Sequence, residues 1–164
     1  MKTILDIPNN CGFCKDCFNI RKNNSAYCGK CEGARIPIYI DDQANFPLLK
    51  EAKKKFPIDT NIVFTYGNTI YGRNLDYGLV CHELTHVTRQ LKEGVDIWWE
   101  KYLSDVDFRI KEELLAYKNQ YEAYYRNDIE FATLALNDIA RILSGPLYAG
   151  NISNEDVKKL ILKK

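Results

Sequence analysis

The sequence predicts an α+β fold in which helices dominate the C-terminal two-thirds, and three features carry that prediction. Two short β-prone runs, 36–40 and 62–71, flank a single helical segment. From residue 76 onward, apolar residues recur at helical spacing in runs that open on Asp or Ser and in several cases close on Gly or Pro. The first 35 residues differ from both. Five of the six cysteines fall between Cys11 and Cys31 among Asn, Lys and Gly, with too few large apolar residues for an independent core. The chain thus divides into a cysteine-rich module at 1–35 and a main domain at 36–164.

Taken in order, Ile36-Pro37-Ile38-Tyr39-Ile40 reads as a short strand, with Pro37 marking an edge or a strand start. Asp41, Asp42 and Asn45 offer N-caps for a helix running to Phe56, with Leu48, Leu49, Ala52 and Phe56 on one face and Pro57 ending it. Ile62 to Tyr66 is a strand that turns at Gly67-Asn68 into Thr69-Ile70-Tyr71. Asp76 caps a helix from Tyr77 to Glu93, closed by Gly94, with Leu79, Leu84, Val87 and Leu91 as its apolar positions. A short helix carries Trp98 and Trp99 over 97–103. Asp105 starts a long helix to about Arg126, and a further helix spans 128–144, stopped by Gly145 and Pro146. Ser153 with Asp156 resembles a capping box for a last helix over 154–162.

The bulk composition narrows the class. A chain of 164 residues with 46% hydrophobic and 27% charged residues is ordinary for one globular domain with a small appendage. A net charge of +1 gives no electrostatic case for a nucleic-acid partner. The lysine runs at 53–55 and 158–164 read as solvated faces. Met1 to Asn10 lacks an apolar targeting segment, and the most apolar run, 129–143, is broken by Glu130, Asp138 and Arg141, so no membrane span is expected. A cytoplasmic location follows as the expectation. Thiols are reduced there, so the cysteines are read as metal ligands rather than disulfides.

Cys11-Gly-Phe-Cys14-Lys-Asp-Cys17 followed by Cys28-Gly-Lys-Cys31 supplies two C-x-x-C pairs at the spacing of a four-thiolate zinc site. The assignment favoured is Cys11, Cys14, Cys28 and Cys31, with Cys17 as the alternative ligand. An iron–sulfur cluster is the rival, but the Cys-Pro ending of the ferredoxin run is missing. Such a structural zinc staples a module without a core.

The most specific signal is Cys81-His82-Glu83-Leu84-Thr85-His86. His82 and His86 are the only histidines in the chain, and at i and i+4 they share one helix face. Both imidazoles can reach one zinc ion, with Glu83 rotated about 100° to act as general base rather than ligand. With no histidine left, any third protein ligand must come from elsewhere, and a carboxylate is the one expected. Glu113 is the favoured candidate: Ala116 at i+3 lets its helix approach the motif helix closely, and Tyr117 lies one turn on, whereas Glu93, Asp105 and Asp107 are alternatives that lack this pattern. Glu112 points about 100° away and is expected to face solvent.

His82-Glu83-x-x-His86 followed by Glu113-x-x-Ala116-Tyr117 resembles the gluzincin branch of zinc metallopeptidases, and residues 60–150 are similar to small phage-encoded proteins of that type. Tyr117 stands where many of these have Asp. The resemblance implies a zincin-like fold, with a small sheet, an active-site helix and C-terminal helices that supply the glutamate. It also implies hydrolysis of a peptide or protein substrate by a zinc-activated water, with Glu83 as the base. The developing oxyanion needs a donor besides the metal, and Tyr117 and Arg109 are the candidates for that or a supporting role. The zinc count expected is two, one catalytic and one structural. The alternative is a non-catalytic zinc-binding interaction module on a degenerate scaffold. A SprT-type crosslink-repair protease also combines such a motif with cysteines, but that family uses a third histidine and places its cysteines after the catalytic part.

Overall fold

In a computed structural model of the chain, residues 37–163 are described, together with three two-residue strands, Thr3–Ile4 (β1), Gly12–Phe13 (β2) and Ile20–Arg21 (β3). β2 and β3 pair antiparallel. Cys11, Cys14, Cys17, Cys28 and Cys31 lie outside the described residues, and so does the zinc site assigned to them. The architecture is α+β and mostly helical.

The small sheet comprises Tyr39–Asp41 (β4), Phe64–Tyr66 (β5) and Thr69–Tyr71 (β6), with β1 beside β4, in the order β1-β4-β6-β5. β4 runs parallel to β6, and β5 and β6 form the expected hairpin. Gly67 takes a left-handed φ of +60° at the first central position of its turn, the place hairpins of the II′ class reserve for glycine. The two strands that flank β6 are shorter than the sequence implies, each pairing with its three residues. β4 begins at Tyr39 rather than Ile36, where its amide donates to the Asn68 carbonyl at 2.9 Å. Pro37 precedes the strand.

The first helical segment is also divided. Asp42 caps a single 3-10 turn, Gln43–Asn45, and the α-helix Leu49–Lys55 (α1) begins only afterwards. Pro47 explains the break. It drives Phe46 into extended backbone (φ −61°, ψ 123°), so one continuous helix from Asp42 to Phe56 is sterically excluded.

From there the helices follow the sequence closely: Tyr77–Glu93 (α2), Val95–Ser104 (α3), Val106–Asn127 (α4), Ile129–Leu143 (α5) and, after a 3-10 turn at Pro146–Tyr148, Asn154–Leu162 (α6). The caps read from the sequence are made. Asp76 accepts from the Leu79 amide at 2.8 Å, Asp105 from Phe108 at 3.0 Å, Asp128 from Phe131 at 2.9 Å and Ser153 from Asp156 at 3.1 Å. Each stabilises its helix by about 1 kcal/mol. No helix among the described residues is long and apolar enough to cross a membrane.

α2 lies between the sheet and α4. Its sheet-side face buries Val80, Leu84 and Val87 against Ile38 and Ile70. Leu91, expected on that face, is 37% exposed, and Gln90 is fully buried instead, its amide bonded to the Thr65 carbonyl at 2.8 Å. An aromatic core of Phe46, Phe64, Tyr71, Trp98 and Trp99 fills the space between sheet and α3, with Phe46 stacked on Phe64 at 4.5 Å. α4, α5 and α6 share a third apolar cluster around Ile110, Ile139, Leu143 and Val157.

The α2–α4 approach is close at two small residues. Ala116 of α4 is fully buried, and Gly78 of α2 leaves room for the Tyr124 ring, where a Cβ would stand 2.2 Å from Cε1. Tyr124 is held by its hydroxyl to Asp76 and Gln120, so the ring cannot swing aside freely. Gly78→Ala is therefore expected to lower stability by about 1–3 kcal/mol in urea unfolding. In a Tyr124→Ala background the same change should be neutral or stabilising, since alanine outranks glycine in helices. Equal losses in both backgrounds would contradict the close approach.

Candidate metal centre

Beside its apolar face, α2 carries a run of polar side chains that is nonetheless buried. His82, Glu83, Thr85 and His86 are each at most 5% exposed. Burying four polar side chains within two turns is unfavourable unless each finds a partner. Thr85 donates to the Cys81 carbonyl at 2.9 Å and accepts from Asn119 of α4 at 2.8 Å. Glu83 accepts from the Thr65 hydroxyl of β5 at 2.7 Å. The two histidines turn their Nε2 atoms toward each other, 3.1 Å apart, and toward Glu113 of α4.

His82 Nε2 stands 3.5 Å from Glu113 Oε2, and His86 Nε2 stands 3.3 Å from Glu113 Oε1. Ligand atoms about 2.0–2.1 Å from a tetrahedral metal are separated by roughly 3.3 Å, so these spacings match the edges of such a polyhedron. Among the described residues this is the one cluster of three His, Cys, Asp or Glu side chains whose donor atoms converge, and it could hold a metal ion. Glu83 is not part of it.

The tautomer of His82 is fixed by a relay that runs back to the start of α2. The Tyr124 hydroxyl donates to Asp76, at 3.0 Å from either carboxylate oxygen, and so accepts from the Gln120 amide nitrogen at 3.0 Å. Gln120 must then present its carbonyl oxygen to His82 Nδ1, also at 3.0 Å. Nδ1 carries the proton, and Nε2 is left bare toward the cluster, as a metal ligand requires. His86 Nδ1 has no such partner. Its ring is held by edge contacts to Trp98 at 5.4 Å and Tyr102 at 6.4 Å.

Glu113 is held by the Tyr102 hydroxyl at 2.6 Å. Burial pushes its carboxyl up, but the charge and hydrogen bond of His86, with His82 and Tyr102, outweigh that and bring it down to about 2. Burial draws His82 down to about 4, against the opposing pull of Glu113. For His86 the same burial is overcome by Glu113, and the net shift is upward. Burial pushes Glu83 up to about 7, despite His86 and the Thr65 hydrogen bond. Two neighbouring carboxylates are thus shifted in opposite directions, Glu113 down by its histidine partners and Glu83 up by burial.

Glu112 corrects the sequence reading. It does not face solvent: it is 3% exposed, bonded by the Arg89 guanidinium at 2.6–3.1 Å and by Trp98 Nε1 at 3.0 Å. The physical reason is the setting of α4. Its neighbours α2 and α3 bury one side and α5 and α6 the other, so a residue 100° from Glu113 still points into protein.

A cavity of about 440 Å³ opens onto the cluster. His82, Glu83, His86 and Glu113 lie on one wall, and Phe56, Ile62, Val63, Leu147 and Tyr148 are among its apolar lining. Tyr117 and Arg109 both reach it. The Tyr117 ring meets His82 edge-on at 4.5 Å, and burial raises its hydroxyl far above the ordinary tyrosine value, so it stays a neutral donor. Arg109 donates to the Tyr102 carbonyl at 2.6 Å.

Compared with protein-family models, curated proteins and solved structures, the chain finds no match. The centre is therefore defined by its own geometry. Glu113 was legible in the sequence. Gln120, seven residues and so about two turns beyond it on the same face, could have been found from helical spacing alone. Thr65 and Tyr102 come from separate elements and left no local signal.

Removing the carboxylate that closes the cluster separates its neighbours' roles. Glu113→Gln is expected to lose one bound metal equivalent per chain on dialysis, with the fold retained. Glu112→Gln should keep the metal and lose about 1–3 kcal/mol of stability as Arg89 and Trp98 lose their acceptor. Gln120→Ala should weaken metal binding about 10–100-fold in a competitive chelator titration. Metal loss in Glu112→Gln with retention in Glu113→Gln would reverse the assignment.

Proposed function

We propose that the chain is a zinc-dependent metallopeptidase of gluzincin type, with zinc held by His82, His86 and Glu113. One observation carries the reading. A convergent two-histidine, one-glutamate set lies at a cavity wall beside a second buried carboxylate, Glu83, which stays outside the set and is tuned by burial. Structural metal sites close their coordination with protein groups, whereas three protein ligands leave a position for water or substrate. Zinc bound there would supply Lewis acidity, polarising a carbonyl and acidifying water.

The chain's own groups provide the rest. Glu83, with one oxygen engaged by Thr65, has its other free to take a proton from the attacking water. The water oxygen bonds to the peptide carbonyl carbon. Glu83 then returns the proton to the amide nitrogen as the C–N bond breaks, and the second water proton follows from the new carboxylic acid to the amine, leaving a carboxylate and an ammonium group. Tyr117, neutral and beside His82, is placed to donate to the developing oxyanion. Gln120 takes the supporting place beside His82 that a carboxylate fills in many gluzincins, which accounts for tyrosine at position 117.

β5 is an edge strand lining the cavity, a position from which it could receive an extended peptide. The Thr65 carbonyl is already taken by Gln90 and Trp99 Nε1, so side-chain pockets rather than a full backbone ladder fit the substrate role better. The zincin-like fold and a second, structural zinc on Cys11, Cys14, Cys28 and Cys31, or with Cys17, complete the reading. The competing reading, a zinc-binding interaction module without catalysis, shares the ligand set and differs only in what Glu83 does.

Glu83→Gln decides between them. It should retain two zinc ions per chain and slow cleavage of a peptide library by about 10²–10⁴-fold. Cleavage at the wild-type rate would remove Glu83 as the base, and no cleavage by the zinc-loaded wild type would favour the interaction module. Cys28→Ser should lose one zinc while leaving the His82 site filled. Iron in place of zinc on the cysteines would overturn the structural-zinc assignment.

A further inference from the structure

We propose that Arg109 is a carboxylate-binding site within the same cavity, so that the preferred substrate carries an anionic group close to the bond being cut. The inference rests on the metallopeptidase reading for what the substrate is, but not for the binding itself.

Arg109 stands apart from the arginines between 73 and 141. Among the described residues, Arg73, Arg89, Arg126 and Arg141 each pair with a carboxylate, and all are more exposed. Arg109 is 9% exposed and makes no ion pair with a described residue. Its one hydrogen bond is from Nη1 to the Tyr102 carbonyl, and its buried Nε has no partner. The guanidinium lies over the Phe56 ring at 5.0 Å and the Tyr102 ring at 5.8 Å, contacts that orient it without neutralising it. A buried cation without an anion is costly, and the fold keeps this one at the wall of its cavity.

The charge balance of the cavity points the same way. A divalent cation at the cluster is matched by the carboxylates of Glu113 and Glu83, which leaves the Arg109 charge surplus. Asp59, the remaining acid of the lining, is exposed at the rim, where solvent screens it. Arg109 is one helical turn from Glu113 on the same face of α4, about 6 Å along the axis, a separation that one amino-acid unit spans. The planar fork of a guanidinium is matched to a carboxylate, and the aromatic and aliphatic walls suit an apolar side chain beside it.

A carboxylate near a peptide bond comes from a chain end or from an acidic side chain, and two probe pairs separate these sources. The first is N-acetylphenylalanine against its amide. The second is N-acetylglutamate amide against N-acetylglutamine amide. Each is titrated calorimetrically into the zinc-loaded full chain and its variants. The expected result is that at least one carboxylate binds about tenfold tighter than its neutral counterpart, and that the preference vanishes in Arg109→Gln. Arg109→Lys, which keeps the charge but loses the fork, should fall between. It also decides the matter if Arg109→Gln loses its near-ultraviolet circular dichroism, because an undiminished preference in the lysine variant contradicts the site. Absence of any preference in the wild type, or an equal one in folded Arg109→Gln, overturns the proposal. A preference lost in His82→Ala but kept in Arg109→Gln would place the carboxylate on the metal, sinking the proposal and sparing the peptidase reading. An Arg109-dependent preference in a protein that cleaves no peptide would do the reverse.

Discussion

The buried carboxylate of Glu113, set between two imidazoles, is the interaction on which the rest of the structure depends. Three polar groups from two helices meet at a buried cavity wall, and neither helix could bury its share alone. His82 and His86 require an anion or a cation between them, and Glu113 requires positive charge. The long packing of α4 across α2 answers that need. It explains why small residues occur where the helices touch, at Gly78 and Ala116, and why Asn119 and Gln120 turn inward rather than to solvent.

Around this point the neighbouring elements each contribute one contact. β5 supplies Thr65 to Glu83, α3 supplies Tyr102 to Glu113, and the cap residue Asp76 governs His82 through Tyr124 and Gln120. Asp76 thus serves two purposes, capping α2 at the Leu79 amide and setting the polarity of the chain of hydrogen bonds that ends at the first histidine. Local helix initiation and site geometry are coupled through a single carboxylate. The same economy holds for Trp98, which donates to Glu112 on one side and rests against His86 on the other.

Much of this was readable from the chain. Helices α2, α4, α5 and α6 carry capping side chains at their starts, and α2 to α6 show helical apolar spacing, so α+β class and helix order follow from residues that act locally. The pairing of His82, His86 and Glu113 also follows, because only two histidines exist and helical spacing limits the carboxylates. What escaped was set by long-range packing. Glu112 was placed in solvent because a helical wheel assumes one exposed face, whereas α4 is covered on two. Phe46 and Pro47 broke a helix whose apolar face alone looked continuous. Tyr102 and Thr65 gain their roles only when α3 and β5 fold back over α2, and Arg109 becomes unusual only once Arg73, Arg89, Arg126 and Arg141 are seen to be paired.

The most direct measurement is the anomalous diffraction of a zinc-loaded crystal at the zinc absorption edge. A peak is predicted between His82 Nε2, His86 Nε2 and a Glu113 oxygen, about 2.0–2.2 Å from each, with Glu83 beyond ligand distance. No peak at that position, or zinc held by Glu83 in place of Glu113, would contradict the metal centre and the chemistry built upon it.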